Sequence, residues 1–198
     1  MDKNTEVWRQ YYDQALSRPH SKRIEFAVSL NKSGLEVAID CGCGTGRDIA
    51  YLAEKGYRVY GFDINPDAID ICRDRFDPFT PVSITESSFE NFDYPIAGII
   101  NASSSLFFAN PLVFENTWNN LESSIVAGGV FVGDFMGLKD SWASNYRTPT
   151  TPLSEDAVRV LFENFDVIKF IERDEKAKTS LGKLKHWHTY SVIAIKRQ

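Results

Sequence analysis

The sequence predicts a doubly wound α/β fold, and three observations carry that expectation. From residue 35 onward, short apolar runs rich in β-branched residues alternate with amphipathic stretches, the arrangement of strands and crossover helices that feed a parallel sheet. The first run ends in a glycine turn, Asp40-Cys41-Gly42-Cys43-Gly44-Thr45-Gly46, with a helical pattern directly behind it. The chain has 198 residues, 43% of them hydrophobic and 25% charged, enough to bury the core of one such domain and too few for a second of similar size.

Ahead of the alternating pattern, Trp8, Tyr11, Tyr12 and Leu16 suggest an amphipathic helix and Arg23 to Leu30 a second one. Residues 1–34 are therefore expected to form a helical cap over the site, and residues 35–198 the core of the same domain. Seven strands are expected, at Glu36 to Asp40, Arg58 to Asp63, Pro81 to Thr85, Ala97 to Asn101, Gly129 to Asp134, Phe165 to Ile171 and Thr189 to Lys196. Between the first two, Ile49, Leu52 and Ala53 fall at helical spacing and Gly56 supplies a stop. Asn65-Pro66 opens the next helix, an N-cap followed by proline at the first helical position. Further helices are expected from Pro111 to Val126, stopped by Gly128-Gly129, and from Ser154 to Asn164, capped by Ser154. Only Arg173 to Lys185 separates the sixth strand from the seventh, too few residues for a helix and an ordinary crossover, so the last strand should run antiparallel in a mostly parallel sheet.

Charge narrows the partners. The net charge is -5 and no basic run occurs, so nucleic acid finds no electrostatic footprint and a small-molecule partner fits better. Cysteines stand at positions 41, 43 and 72; an odd number with a Cys-x-Cys spacing inside a glycine turn is a poor disulfide frame and half of a zinc site. They read as reduced thiols of a cytoplasmic protein. No basic patch followed by an apolar stretch opens the chain, and no apolar run approaches the ~18 residues of a membrane span, so neither leader nor membrane is expected. A monomer or weak homodimer is the expected assembly.

In an open α/β sheet the ligand lies beyond the carboxyl ends of the strands, so the residues just after each strand carry the chemistry. Gly42, Gly44 and Gly46 follow a G-x-G-x-G spacing, whereas the dinucleotide fingerprint needs glycine where this chain has Arg47, which disfavours NAD. Asp63 closes the second strand roughly 20 residues after the turn, where an acceptor-only carboxylate can take both hydroxyls of a ribose; it could equally cap the helix at Asn65. Asp40 would orient the turn and accept from an amino group of the ligand.

Val37-Ala38-Ile39-Asp40-Cys41-Gly42-Cys43-Gly44-Thr45-Gly46, followed by Gly61-Phe62-Asp63, resembles the first two motifs of class I S-adenosylmethionine-dependent methyltransferases, with residues 35–136 carrying the likeness. Two further stretches, residues 133–143 and Lys185-His186-Trp187-His188, resemble the bacterial tellurite-resistance-type branch. The resemblance implies a Rossmann-like fold and transfer of the methyl group of S-adenosylmethionine to a small acceptor, releasing S-adenosylhomocysteine, with no metal. It implies cofactor contacts from Asp40, Gly42, Cys43, Gly44, Thr45, Gly46, Arg47, Asp63 and Ile64, and from Asn101 and Ser103 on the methyl side. The family usually places an acid after the third strand to reach the adenine amino group; this chain has Ser88 there, which leaves adenine to Ser88, Phe89 or Glu86.

Methyl transfer is an in-line displacement, so holding the nucleophile and excluding water matter more than a strong base. Asn101 and Ser103 offer polar contacts after the fourth strand, or cap the next element. His186 and His188 share one face of the last strand, which begins at the ligand edge. They would orient or deprotonate the acceptor, or flank a packed Trp187 as structural residues; a His-x-His metal site lacks a third ligand with recognisable spacing. Asp134 has the same edge location and the same two readings. Trp8, Tyr11 and Tyr12 would fold over the site as a lid, or belong to ordinary core. A module that binds the cofactor without transferring its methyl group is the competing function, and a nucleotide-dependent oxidoreductase a third, weakened by Arg47.

Overall fold

The computed structural model describes residues 5–76 and 81–198, and of residues 5–8 the backbone alone. In chain order the elements are α1 (Thr5–Leu16), α2 (Lys22–Leu30), β1 (Val37–Cys41), α3 (Arg47–Glu54), β2 (Arg58–Asp63), α4 (Pro66–Arg75), β3 (Val82–Glu86), β4 (Ala97–Ala102), α5 (Phe114–Ser124), β5 (Ile125–Gly137), α6 (Trp142–Asn145), β6 (Pro152–Leu153), α7 (Glu155–Leu161), β7 (Phe165–Lys178) and β8 (Leu184–Lys196). The sheet runs β3-β2-β1-β4-β5-β8-β7, with the short β6 beside β5. β1 to β5 are parallel to one another, and β8 is antiparallel to both β5 and β7. The central strands read as apolar runs because helices cover both faces; β4 is buried at every position.

Strand alternation divides the core in two. Ile39, Phe62, Ile100, Phe131 and Phe135 pack on one face with Trp118 of α5, and Tyr190 and Val192 of β8 share that side. Ala38, Val59, Ile99, Val132 and Ile193 pack on the other, beneath Ile24 of α2, Ile49 and Leu52 of α3 and Cys72 of α4. The same alternation turns Asp40, Asp63, Asn101, Asp134 and Ser191 toward the side of α2 and α3. Cross-strand register aligns Asp40 with Asn101, Asn101 with Val132, and Asp134 with Ser191, so one edge of the sheet carries them all.

Several expected elements differ from those observed. Among the described residues the sheet has eight strands, not seven, because Pro152–Leu153 pairs with Met136 and Gly137; two residues are too few to leave a pattern. The helix expected from Pro111 to Val126, α5, begins at Phe114, after a 3-10 turn at Pro111–Val113 capped by Asn110, and ends at Ser124. Ile125 already pairs with Ala97, and the pairing then shifts register before Ile99 meets Val130, with Gly128 in the left-handed region at φ 77°. The last two strands are antiparallel as expected but far longer, pairing from Phe165 with Lys196 out to Lys178 with Leu184. The expected connector, Arg173 to Lys185, is mostly strand. Its alternating charges belong to a ribbon exposed beyond the sheet, which no run of apolar residues marks.

Candidate functional site at the carboxyl edge of the sheet

The glycine turn leaves β1 at Cys41 and enters α3 at Arg47. Gly42, Gly44 and Gly46 have φ of 68°, 54° and 70°, a conformation that L-residues with a Cβ rarely adopt. The turn is held from several sides: Cys43 N–H donates to Phe62 O at 2.9 Å, Ser105 Oγ to Cys41 O at 2.6 Å and Arg75 Nη1 to Thr45 O at 2.8 Å. Asp63 completes it, accepting from Gly44 N–H at 3.0 Å and from Asn65 N–H at 2.9 Å. Asp63 thus steadies both the turn and the start of α4. Burial pushes its carboxyl up from the ordinary value, against those two N–H donors. The three cysteines are free and buried, and Cys43 and Cys72 lie beneath the turn, where Cys72 Sγ donates to Gly44 O at 3.2 Å.

Behind the turn lies a buried polar network. Asn101 Nδ2 donates to Asp40 Oδ1 at 2.8 Å and to Asp48 Oδ2 at 3.2 Å, while Asn101 Oδ1 accepts from Ser103 Oγ at 2.6 Å. The Asn101 side chain is therefore engaged within the protein. Burial, and then the neighbouring Asp48, hold the Asp40 carboxyl well above the usual carboxylate range. Arg47 Nε stands 3.7 Å from Asp48 Oδ1, and Ser21 N–H donates to that same oxygen at 2.8 Å, tying the start of α2 to α3.

A second tie to α2 comes from Asp134 at the end of β5. It accepts both Arg23 guanidinium nitrogens at 2.6 and 2.7 Å, Ser191 Oγ at 2.5 Å and Ser104 N–H at 2.8 Å. Burial alone would raise its carboxyl; the bidentate Arg23 and the other donors outweigh that and hold it below the ordinary value. Ser104 is the single non-glycine residue with positive φ among the described residues, at 57°, a strained conformation in the loop after β4. The bond from its N–H to Asp134 holds it there.

On the adenine side expected from the sequence, Ile64 is 71% exposed beside Asp63, an apolar side chain without cover. Ser88 follows β3, and its carbonyl accepts from Asn91 and Phe92 N–H. Phe89, expected as a ligand contact, has its ring buried edge-on against Phe62 at 5.2 Å, a core position. Tyr12 of α1 is buried and lies over the turn; a Cβ at Gly44 would meet its ring at 3.8 Å. Tyr12 thus packs against the turn, a position that fits both the lid and the core readings, whereas the side chain of Trp8 lies outside the described residues.

The histidines lie on the other face of the last strand from Asp134. His186 and His188 do share a face, but it is the face of Tyr190 and Val192, opposite to the one carrying Ser191 and Asp134. His188 is 3% exposed, packed so closely under Gly137 that a Cβ there would overlap the imidazole. Its Nδ1 accepts from Lys139 N–H at 3.0 Å and its Nε2 pairs with Glu172 at 2.9 Å; His186 Nε2 pairs with Asp174 at 2.6 Å. Glu172, Asp174 and His188 bring one potential ligand atom each within 4.8 Å of one another. Because Nδ1 accepts a backbone N–H, the His188 proton sits on Nε2, which has no lone pair to offer a cation. Asp174 is bonded to Lys139 as well as to His186, and these two partners hold its carboxyl down at about 2. The group is an ion-pair network joining the two strands.

Sequence reasoning missed Arg23, Asp48 and the pair Lys185–Asp140. Lys185 Nζ is 2.6 Å from Asp140 Oδ1 and lies 3.7 and 4.0 Å from the ring centroids of Trp142 and Trp187. Burial lowers the lysine from its ordinary value, against the pull of Asp140. Asp48 had a signal, an acid in the first turn of the helix behind the glycine turn. Arg23 and Lys185 had none, since their partners lie 111 and 45 residues away.

Residues 38–129 match the family model described as a methyltransferase domain. A magnesium-protoporphyrin O-methyltransferase of Rhodobacter capsulatus is 36% identical over 66 residues, a stretch spanning 30% of this chain and 30% of that protein. In fold, TehB from Haemophilus influenzae superposes with a TM-score of 0.67 at 16% identity, covering 87% of this chain and 62% of that one. The 1,6-didemethyltoxoflavin-N1-methyltransferase of Burkholderia thailandensis, crystallised with 1,6-didemethyltoxoflavin and S-adenosylhomocysteine, superposes with a TM-score of 0.64 at 15% identity, covering 98% of this chain and 85% of that one. The chain thus resembles methyltransferases in sequence over residues 38–129 and shares the fold of TehB and of the toxoflavin enzyme over most of its length.

Proposed function

We propose that the protein transfers the methyl group of S-adenosylmethionine to a small-molecule acceptor and releases S-adenosylhomocysteine. One observation carries the reading: three left-handed glycines and Asp63 form a bare-backbone cradle at the carboxyl edge, with the uncovered Ile64 beside it. The cradle fits a nucleoside. Asp63 has acceptor capacity left after its two N–H bonds and takes the ribose hydroxyls; Ile64 supplies an apolar face for the base, with Ser88 as the polar neighbour. Asp40 and Asn101 orient the turn and the amino acid end of the ligand, and Thr45 to Arg47 bring the start of α3 beneath it. The relatives support the choice of cofactor, one of them having been crystallised with S-adenosylhomocysteine.

S-adenosylmethionine held in this cradle would supply an electrophilic sulfonium methyl group to the acceptor nucleophile, with S-adenosylhomocysteine as the leaving group. The chain's own residues position and exclude water: Tyr12 covers the turn, Asp134 with Arg23 shuts the cap, and Ser103 and Ser104 border the methyl side. We assign His188 to the architecture of the hairpin, because both its ring nitrogens are bonded and its face is turned away from Asp134. Calorimetry with S-adenosylhomocysteine and with NAD tests the cofactor, and turnover of methyl-labelled cofactor with a panel of acceptors tests transfer. Binding of NAD in place of S-adenosylhomocysteine would overturn the assignment; binding without turnover across the panel would favour the module that holds the cofactor and transfers nothing.

A further inference from the structure

Beside Asp134, between α2 and the last two strands, lies a cavity of about 140 Å³ that the methyl-transfer reading does not use. It is lined by the apolar side chains of Phe26, Ile171 and Ile193 and by the cations Lys22, Arg23 and Lys169. Three cations around one apolar hollow stand out on a chain of net charge -5. Their partners differ. Arg23 is neutralised by Asp134 and Lys22 is bonded to Glu25 at 2.9 Å, but Lys169 has no carboxylate partner among the described residues, and its ammonium rests 4.3 Å from the centroid of the Phe26 ring. The remaining polar group of the lining, Ser191, donates its hydroxyl proton to Asp134. What the hollow offers a ligand is therefore apolar side chains, an aromatic ring and one positive charge without a carboxylate partner among the described residues.

We infer that this cavity binds a small organic anion, a carboxylate carried on a flat apolar body. Lys169 meets the carboxylate, with Lys22 adding to the local potential, and the body lies on Phe26, Ile171 and Ile193. The size agrees, since a single water needs only ~10–15 Å³ by the same measure and this hollow holds about ten times that. A neutral ligand of the same shape would gain the apolar contacts and leave the ammonium unanswered, so charge sets the preference.

Benzoate is the probe, with benzamide as its uncharged counterpart. Titration calorimetry at low ionic strength should show benzoate binding at least tenfold more tightly than benzamide, and weakening as salt is added. Lys169→Glu should weaken benzoate at least tenfold. Lys169→Gln should weaken it less, and both variants should keep the melting temperature and the affinity for S-adenosylhomocysteine. Equal affinity for benzoate and benzamide, indifference to Lys169, or no benzoate binding at millimolar concentration would each overturn the inference. The two ligands also keep the readings apart: S-adenosylhomocysteine binding without benzoate binding removes the anion site alone, and the reverse removes the methyltransferase reading alone.

Discussion

The glycine turn and the hairpin beyond the sheet edge are built on opposite principles. In the turn, seven consecutive residues and one acid behind them specify the geometry, because left-handed backbone restricts the residue types that can stand there. In the hairpin, function of position depends on thirteen cross-strand pairs and on which face each side chain takes, and a shift of one residue would exchange the histidines for Trp187 and Lys185. A binding site made of backbone is local and tolerates little; a scaffold made of side-chain pairs is distributed, and its cost of failure falls on stability.

Variants should separate the two regions, and the largest effect is expected in the hairpin. Asp140→Ala leaves Lys185 buried without its counter-charge, and losing one partner of such a pair costs about 3–5 kcal/mol. A fall in melting temperature of roughly 10 °C is expected for a chain of this size, with the affinity of the folded fraction for S-adenosylhomocysteine unchanged. A drop in affinity without a drop in melting would dissolve the contrast.

Next comes the turn, where affinity is expected to fall as well as stability. Asp63→Ala should weaken S-adenosylhomocysteine by about 1.5–3 kcal/mol, the range for hydrogen bonds to a charged acceptor, and Gly44→Val by at least as much, since a branched residue at φ 54° is strained. Calorimetry on both variants decides; normal binding by either would move the site elsewhere.

His188→Gln sharpens the comparison further. A structural histidine predicts a loss of about 1–3 kcal/mol in stability, from the Lys139 N–H left without its acceptor, and turnover that follows the folded fraction. A ~100-fold loss of turnover at unchanged melting would instead return the residue to catalysis.

The smallest effect concerns pH. Burial and Asp48 raise the Asp40 carboxyl, so the native state holds that proton more tightly than the unfolded chain does. The stability it contributes is fully present below the unfolded value near ~3.9 and is lost as pH rises through the folded one. Asp40→Asn keeps an acceptor for Asn101 and removes the titration. The variant should match the parent near pH 4 and melt higher at pH 8; a wider gap at pH 4 than at pH 8 would reverse the sign.

Much of the first region was legible in the sequence because its causes are local. Asp63, at the end of an apolar run and behind three alternate glycines, points to the turn before any coordinates do, and Asn65-Pro66 marks a helix start that the structure keeps. Phe89 was misplaced because an aromatic after a strand reads alike whether it faces a ligand or Phe62. For the hairpin, alternation correctly put His186 and His188 on one face but could not say which, since that depends on how β8 enters between β5 and β7. Arg23 carries no mark of its role, because Asp134 reaches it only after the whole sheet has assembled.

That carboxylate has a kinetic consequence. Asp134 holds the strained backbone of Ser104 with one oxygen and Arg23 of the cap with both, so the loop cannot relax and the cap cannot lift independently. Opening the site and reshaping its methyl side should appear as a single relaxation process with one rate, which Asp134→Asn would accelerate for both segments together.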